Sequence, residues 1–445
     1  MSESRIKRSR LKILALLGVA AMTAVSMWGC GTDGYDNPVT TTNAPAIIDA
    51  PTLKSWVDEG KLNAPAGRSD RVVLVSVTTM ANYTTASRLH IPGAVLLDSG
   101  TQLYDTREEA QGPVPSMVPT GAQMDTVIKK LGIDDKTTIV LTIPKKSTDP
   151  EHYAQSRAYF TLRYWGFDRN RIKILNGGDD AWDAQVAASA AGYTPLTKAV
   201  PSITPTTYSV AKNKDGLKDV VRASMGEMYQ RIDALIKDSS GLTTSQMLDV
   251  RGAAVSPYVT NAFRTTAMAF LGDRVNNEAT RNRLYPTKDV LLQRMSTQTV
   301  TDGAGTAFLS PTKKTIVMCA GGVSASPSFV LFDAVLGVPE GDIMLYDGSA
   351  NQWTGYSSAR IAAASPSASV GQLAAWAFDT PVITGVLTST RAQGTMPATG
   401  AALLPHAALY APSNLLMNQI ETADKAYMDP ETSKGGAVSG AGGGC

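Results

Sequence analysis

At 445 residues, with 43% hydrophobic and 18% charged side chains, the chain has the composition of an ordinary globular protein and the length for two domains plus appendages. The formal charge of +2 hides an asymmetry: residues 1–29 hold five Arg or Lys and one acid, and without them 36 basic residues face 38 acidic ones. No basic run occurs elsewhere, so nucleic-acid binding finds no support.

Arg5, Lys7, Arg8, Arg10 and Lys12 precede an apolar run from Ile13 to Val25. The run is short for a transmembrane helix and has the layout of a secretory signal. It ends at Met27-Trp28-Gly29-Cys30, which resembles a bacterial lipobox. Residues 1–29 are therefore expected to be a lipoprotein signal and Cys30 the lipidated residue; the alternative is an ordinary signal peptide cleaved nearby. Residues 30–45, rich in Gly, Asp, Asn, Thr and Pro, read as a tether. Gly31 lacks the aspartate that resembles an inner-membrane retention signal. The expected location is the cell envelope, with a lipid anchor in the outer membrane, on its periplasmic or surface face.

Residues 46–197 read as a first α/β domain. Ala46 to Asp58 suits a strand, a turn and a short amphipathic helix, and Arg71 to Val77 a β-branched strand. Residues 120–132 carry Met124, Val127, Ile128 and Leu131 on one helical stripe. Residues 198–221 form the expected linker, centred on the Pro- and Thr-rich Lys198 to Tyr208. The second domain, 222–365, opens on an amphipathic helix expected over Arg222 to Ile236. Beyond it, 366–445 is an extension rich in Ala, Thr, Pro and Ser, ending in a flexible Gly-rich tail that closes on Cys445.

An internal repeat relates the two domains. Thr138-Ile-Val-Leu141 recurs as Thr315-Ile-Val-Met318, Gly166 as Gly337, and Asn176-Gly-Gly-x-x-x-Trp182 as Asp347-Gly-Ser-x-x-x-Trp353. A repeat this long means two copies of one domain rather than a solenoid. Strands alternating with helices in both predict parallel sheets flanked by helices.

The segment from Thr315 to Ser326 carries the chemistry. A short apolar strand runs into Cys319, a glycine-rich loop follows, and a helical pattern begins near Ser324. Such a loop directs backbone N–H groups at one sulfur and stabilises a thiolate or the anion bonded to it. Gly321 and Gly322 let the backbone curl without Cβ clashes. A buried core cysteine is the bland alternative; the flanking glycines favour a nucleophile. Thr142 holds the equivalent place in the first copy, where Pro144 to Pro150 replaces the glycine loop. A hydroxyl with no visible base is a poor substitute for a thiolate, so the first copy is expected to be inactive. The three cysteines, Cys30, Cys319 and Cys445, form no disulfide framework. For Cys445 two readings stand open: a swinging thiol that accepts from Cys319, or a tail residue without a role.

The stretch CAGGVSAS…FDAVLGVPEGDIMLYDGSANQW resembles the active-site half of rhodaneses, the thiosulfate and 3-mercaptopyruvate sulfurtransferases. Met247-Leu-Asp249-Val-Arg251 is similar to the family's strand ending in Asp-x-Arg, and His90-Ile-Pro-Gly-Ala94 to its His-Ile-Pro-Gly-Ala turn. The resemblance covers roughly residues 46–360. It implies two rhodanese-like α/β domains and a sulfurtransferase in which Cys319 becomes a persulfide. It also implies that Ala320, Gly321, Gly322, Val323 and Ser324 form the cradle, and that Arg251 binds the donor's carboxylate or sulfonate. Asp249 and His90 would be accessory, and Ser324 either donates to the thiolate or caps the helix. Arg251 has the alternative of a structural pair with Asp249.

The chain departs from the family in three places. The loop has no Arg or Lys, a second substrate arginine near Tyr258 to Phe263 is missing, and Ser76 stands where an aspartate would accompany His90. The donor classes are thiosulfate, 3-mercaptopyruvate, a persulfide or polysulfide, or a selenium oxyanion; the acceptor is a thiol or cyanide. The segment from Arg264 to Val300 diverges from the family and is expected to shape the mouth of the site. His90, His152 and His406 are scattered, with no metal-ligand spacing, and no phosphate or dinucleotide fingerprint occurs, so no cofactor or metal is expected. A reading from another class is a non-catalytic lipoprotein that serves as a binding or assembly module of an envelope redox or chalcogen-handling complex, with an envelope protein as partner.

Overall fold

The computed structural model describes residues 45–85, 88–109, 112–228, 244–252, 262–302, 305–352 and 419–429. Cys30, Trp353 and Cys445 lie outside them, as do the signal, tether and tail expectations.

The first half builds one parallel sheet. Its strands are β1 (Ile47–Ile48), β2 (Val72–Thr78), β3 (Val95–Asp98), β6 (Thr138–Thr142) and β7 (Ile172–Leu175), in the order β1-β7-β6-β2-β3. β2 and β6 are buried along their whole length, as strands with helices on both faces must be. Between β3 and β6 the chain forms an antiparallel hairpin of β4 (Asp105–Glu109) and β5 (Gly112–Met117). The helices are α1 (Ala50–Asp58), α2 (Met80–Thr84), α3 (Gly121–Lys130), α4 (Asp149–Tyr164) and α5 (Gly178–Ala187). A Thr120–Gln123 capping box starts α3.

The second half repeats that order with two added strands. Its strands are β8 (Arg222–Ala223), β9 (Ser245–Asp249), β10 (Ala262–Arg264), β11 (Val300–Asp302), β12 (Gly305–Ala307), β13 (Lys314–Met318) and β14 (Ile343–Tyr346). The run β8-β14-β13-β9-β10 is parallel and matches β1-β7-β6-β2-β3 place for place, while β11 and β12 extend it antiparallel. The repeated Thr-Ile-Val segments are β6 and β13, each the middle strand of its five-stranded parallel run. Gly166 and Gly337 each end a helix in the left-handed region, at φ of 85° and 68°. The described helices of this half are α6 (Lys288–Thr297) and α7 (Ser326–Val330), the latter continued by a π-helical turn over Leu331–Leu336.

Two expectations fail here. Arg222 and Ala223 form strand β8 rather than a helix start, because this copy, like the first, needs a short edge strand beside its last strand; a helical turn begins only at Met225. The extension is not wholly an appendage: α8 (Gln419–Met428) is built into the core. Ile420 is buried, and the Tyr427 ring meets Trp165 edge-on. Asp424 takes two hydrogen bonds from Arg107 (2.7 and 2.8 Å) and one from Tyr164 Oη (2.8 Å). No apolar stripe in the sequence announced this docking, because it works through buried charge.

The halves share one interface. Tyr159 and Arg163 of α4 donate to Asp333 beside α7 (2.6 and 3.1 Å), and Arg163 also reaches Glu340 (3.0 Å). Near α8, Arg222 serves three carboxylates: Asp347 (3.2 Å), Glu421 (3.3 Å) and Glu109 (3.6 Å). Neither Glu109 oxygen accepts a well-aligned hydrogen bond. Burial pushes Glu109 up to about 7, against the pull of Arg222, and does the same to Glu421.

A proton held at a folded value above the ordinary 4.5 stabilises the fold fully below that pH and ceases to do so as pH rises through 7. Unfolding midpoints measured from about pH 5 to about pH 8 should therefore fall with pH, and Glu109→Gln should flatten the decline. An equally steep decline in the variant would remove Glu109 from the account.

Candidate functional site

Three parallel strands, β9, β13 and β14, end at the same edge, and Cys319 follows β13 directly. In open α/β sheets the carboxyl ends of the strands are where ligands gather. Met318 lies opposite Asp249 in register, and Val250 N–H donates to the Met318 carbonyl (3.0 Å), which sets Arg251 beside the start of the loop. Cys319 is 1% exposed, whereas Ala320 is exposed and Gly321, Val323 and Ser324 are partly so.

The turn after β14 grips the loop. Cys319 N–H donates to Ser349 Oγ (3.2 Å), whose hydroxyl donates to the Tyr346 carbonyl (2.6 Å). Ala350 N–H bonds the Cys319 carbonyl (3.0 Å), and Asn351 N–H bonds the Ala320 carbonyl (2.8 Å). The Gly322 carbonyl accepts from Arg157 Nη1 (3.3 Å) and Ser326 Oγ (3.1 Å), and the Val323 carbonyl from Ser326 N–H (3.1 Å). Across a trans peptide the next N–H points opposite the carbonyl. Fixing these four carbonyls therefore turns the N–H groups of Ala320, Gly321, Val323 and Ser324 the other way. None of the N–H groups from Ala320 to Ala325 donates to a described acceptor.

The first copy shows the contrast. Its loop begins with Pro144, which has no N–H, and the next four donors are all engaged: Lys145 on Leu89 O, Lys146 on Asp180, Ser147 on Pro144 O and Thr148 on Glu151. Thr142 donates to the fully buried Asp179 (2.5 Å), and burial pushes that carboxyl well above the ordinary range. The strand end that matches Cys319 is closed.

The sequence singled out Gly321 and Gly322 together; the structure separates them. Gly322 sits at φ 74°, and a Cβ there would overlap the Asp347 carbonyl oxygen and lie 3.1 Å from Arg157 Nη1. Gly321 has an ordinary φ, and its Cβ would come no nearer than 3.3 Å, to Asn351 Nδ2.

Arg157 is the residue that sequence reasoning missed. It comes from α4 of the first half, is fully buried, and binds the Gly322 carbonyl, the Ser116 carbonyl (3.1 Å) and the Asp347 carboxylate. Burial works to raise the Asp347 carboxyl, but Arg157 and Arg222 outweigh it and hold Asp347 below the usual carboxylate range. Nothing in one sequence says that this mid-helix arginine of the first copy crosses to the other copy. The β4–β5 hairpin crosses too: Ser116, itself at φ 63°, faces Gly321. Burial pushes the Tyr104 hydroxyl up to about 12, with Arg157 opposing and Cys319 adding, and Tyr153 is raised chiefly by burial with a smaller contribution from Cys319. The Arg157 guanidinium carbon lies over the Tyr104 ring, 5.9 Å from its centroid.

The other sequence candidates fall as follows. Asp249 holds the Arg251 guanidinium through Nε (3.0 Å to each oxygen) and Nη2 (2.7 Å), so the structural pair is present at the strand end. His90 is buried, stacks on Tyr83 (4.1 Å) and bonds the Ile91 carbonyl (3.2 Å); burial lowers its pKa, and none of its described contacts reaches the Cys319 loop. Ser324 makes no side-chain hydrogen bond with a described residue and does not cap a helix, since α7 starts two residues later with Ala325 before it. Nor do Arg281, Asn282, Arg283 and Tyr285 shape the mouth of the Cys319 site. Their contacts run to Asp180, Pro144, Asp149, His152 and Ser156 at the first copy's strand end. Among the described residues no cluster of His, Cys, Asp or Glu suits a metal ion, and no helix is long and apolar enough to cross a membrane.

No protein-family model matches the chain. It is 28% identical over 268 residues to the putative thiosulfate sulfurtransferase SseA of Mycobacterium leprae, spanning 59% of this chain and 77% of that one. The protein of the same name from Mycobacterium tuberculosis is 26% identical over 270 residues, 59% of this chain and 76% of that one. The chain is a distant relative of putative thiosulfate sulfurtransferases. Among solved structures it is similar to Tum1 from Saccharomyces cerevisiae, at 17% identity and a TM-score of 0.45 over 69% of this chain and 94% of that one. An anaerobic ergothioneine biosynthesis enzyme from Chlorobium limicola gives 15% identity and a TM-score of 0.45, over 69% and 68%.

Gly322→Ala should cost at least about 2 kcal/mol in urea unfolding, from the left-handed backbone and the overlap with Asp347, and should slow alkylation of Cys319. Gly321→Ala should stay within about 1 kcal/mol of the parent. Equal effects at the two positions would contradict the geometry of the loop.

Proposed function

We propose that this chain is a sulfurtransferase that carries sulfane sulfur as a persulfide on Cys319. The observation that carries the reading is the row of N–H groups from Ala320 to Ala325 with no described acceptor, next to a cysteine at the carboxyl end of a central parallel strand. The distant relationship to putative thiosulfate sulfurtransferases supports sulfur transfer in general.

With thiosulfate as donor, the Cys319 thiolate attacks the outer sulfur. A Cys319–sulfur bond forms, the donor's S–S bond breaks, and sulfite leaves with the bonding pair. Cyanide or a thiolate then attacks the terminal sulfur and restores the Cys319 thiolate, giving thiocyanate or a new persulfide. There is no net oxidation, and rates follow the attacking and leaving groups as in thiol–disulfide exchange. The terminal sulfur anion is the species that unsatisfied N–H groups stabilise. Because Cys319 is 1% exposed, the donor must be small and slender at its reacting end. 3-Mercaptopyruvate and a small persulfide or polysulfide meet that requirement as well as thiosulfate.

Arg251, Asp249 and the segment from Ala320 to Ser324 are the proposed donor-binding and cradle residues. Arg251 stands at the strand end, where a guanidinium meets an anionic donor. The lipid anchor at Cys30, placement at the outer membrane and acceptance of sulfur by Cys445 belong to the same proposal and rest on the sequence alone.

Intact mass of residues 31–445, before and after a donor, tests the reading. One added sulfur, about 32 Da, should appear, require Cys319 and be discharged by cyanide. No adduct with thiosulfate, 3-mercaptopyruvate or polysulfide, from a folded and reduced sample, would remove the transferase and leave the binding module. Where turnover is seen, Arg251→Gln should raise KM for an anionic donor about tenfold with a smaller change in kcat.

A further inference from the structure

The buried charge behind the Cys319 loop connects it to the C-terminal helix. From α8, Glu421 accepts from Arg222 Nη1 (3.3 Å). Arg222 Nε donates to Asp347 Oδ2 (3.2 Å), which also takes Val118 N–H (3.0 Å). The other Asp347 oxygen takes Arg157, and Arg157 donates to the Gly322 carbonyl (3.3 Å). Arg157, Arg222 and Asp347 are each at most 1% exposed, and Glu421 is 8% exposed. Further along the same buried face α8 is fixed by Asp424 on Arg107 and Tyr164, and by Tyr427 Oη on Asp125 (2.9 Å). The resemblance to rhodaneses ends near residue 360, and this helix lies beyond it.

We propose that α8 is a positioning element of the Cys319 site, acting through Glu421, Arg222 and Asp347 to set the Gly322 carbonyl and the orientation of the loop's N–H groups. The inference rests on the sulfur-transfer reading of that loop. Arg222 lies between three carboxylates, and where its fork settles decides where Asp347 is drawn. Asp347 in turn touches the loop twice, through Arg157 and through its own carbonyl packed on Gly322. A shift of Asp347 therefore rotates the Gly322–Val323 peptide, whose N–H is one of the donors with no described acceptor. Glu421 and Arg222 are positioning residues and touch no reacting atom.

The test uses the full chain and reads two quantities: the pH profile of Cys319 alkylation by iodoacetamide, and the unfolding midpoint. Glu421→Gln should remain folded and slow alkylation about fivefold at pH 8. Combined with Arg157→Lys, its effect on the rate should be clearly non-additive, because both act on Asp347. Lys425→Met, on the same helix with its side chain half exposed, should leave the alkylation profile unchanged. If Glu421→Gln does not fold, Glu421→Asp, one methylene shorter with its charge kept, carries the same comparison. A lowered midpoint with an unchanged alkylation profile, or strictly additive rates, would reduce α8 to a staple and overturn the inference. A parent Cys319 that alkylates no faster than free cysteine would instead overturn the sulfur-transfer reading.

Discussion

The carboxylate of Asp347 is the constraint on which the Cys319 half depends. It is fully buried, and an ion so placed must be paired and hydrogen-bonded to be tolerated. Arg157 arrives from the first half, Arg222 from the edge strand of the second, and Val118 N–H from just after the hairpin. Removing one partner of such a site typically costs about 3–5 kcal/mol, because the remaining charge stays buried. The halves therefore do more than rest on each other. The cradle of the second is completed by an arginine of the first, and the second copy by itself would leave Asp347 short of a cation and Gly322 short of a donor.

Duplication explains the layout, and divergence explains its asymmetry. Each copy ends its central strand in the same place and sends a segment across the other's strand ends. The first copy's hairpin and Arg157 lie against the Cys319 loop and offer its N–H groups no described acceptor. The second copy's segment from Arg281 to Tyr285 fills the first copy's strand end with hydrogen bonds. There Thr142 is tied to Asp179, and the loop donors from Lys145 to Thr148 have protein acceptors. The first copy's strand end is closed by satisfying the same groups for which the other copy offers no described acceptor.

What the sequence disclosed was whatever depends on local pattern. β2, β6 and β13 stand out as short, mainly apolar, β-branched runs because parallel strands are covered on both faces. The Cys319 loop stands out because glycines beside a cysteine have few other uses. Arg157 and α8 did not stand out. An arginine in mid-helix reads as a solvated residue, and its burial follows from a carboxylate 190 residues away. Helix α8 hides its docking face in Glu421 and Asp424, which look like surface charge until Arg107 and Arg222 are seen beneath them. The mistaken helix at Arg222 has a related origin. An amphipathic pattern does continue past Met225, but the edge of a parallel sheet recruits Arg222 and Ala223.

The charge around the loop bears on what the proposed site is suited to hold. Arg157 is occupied by two carbonyls and Asp347, and Arg251 is held by Asp249 through both Nε and Nη2. The loop itself contributes no side-chain cation. Its donors are backbone N–H groups, which stabilise a negative charge at short range without attracting a multiply charged anion from a distance. A loop of this kind favours the bound monoanion, a terminal sulfur on Cys319, over the free dianionic donor. Binding energy then goes into the intermediate rather than into the ground-state complex, and for a transfer catalyst that is the useful place. Small donors of low charge, such as persulfides, lose least by the absence of a basic loop. Donors that rely on a strong cationic field, thiosulfate among them, lose most.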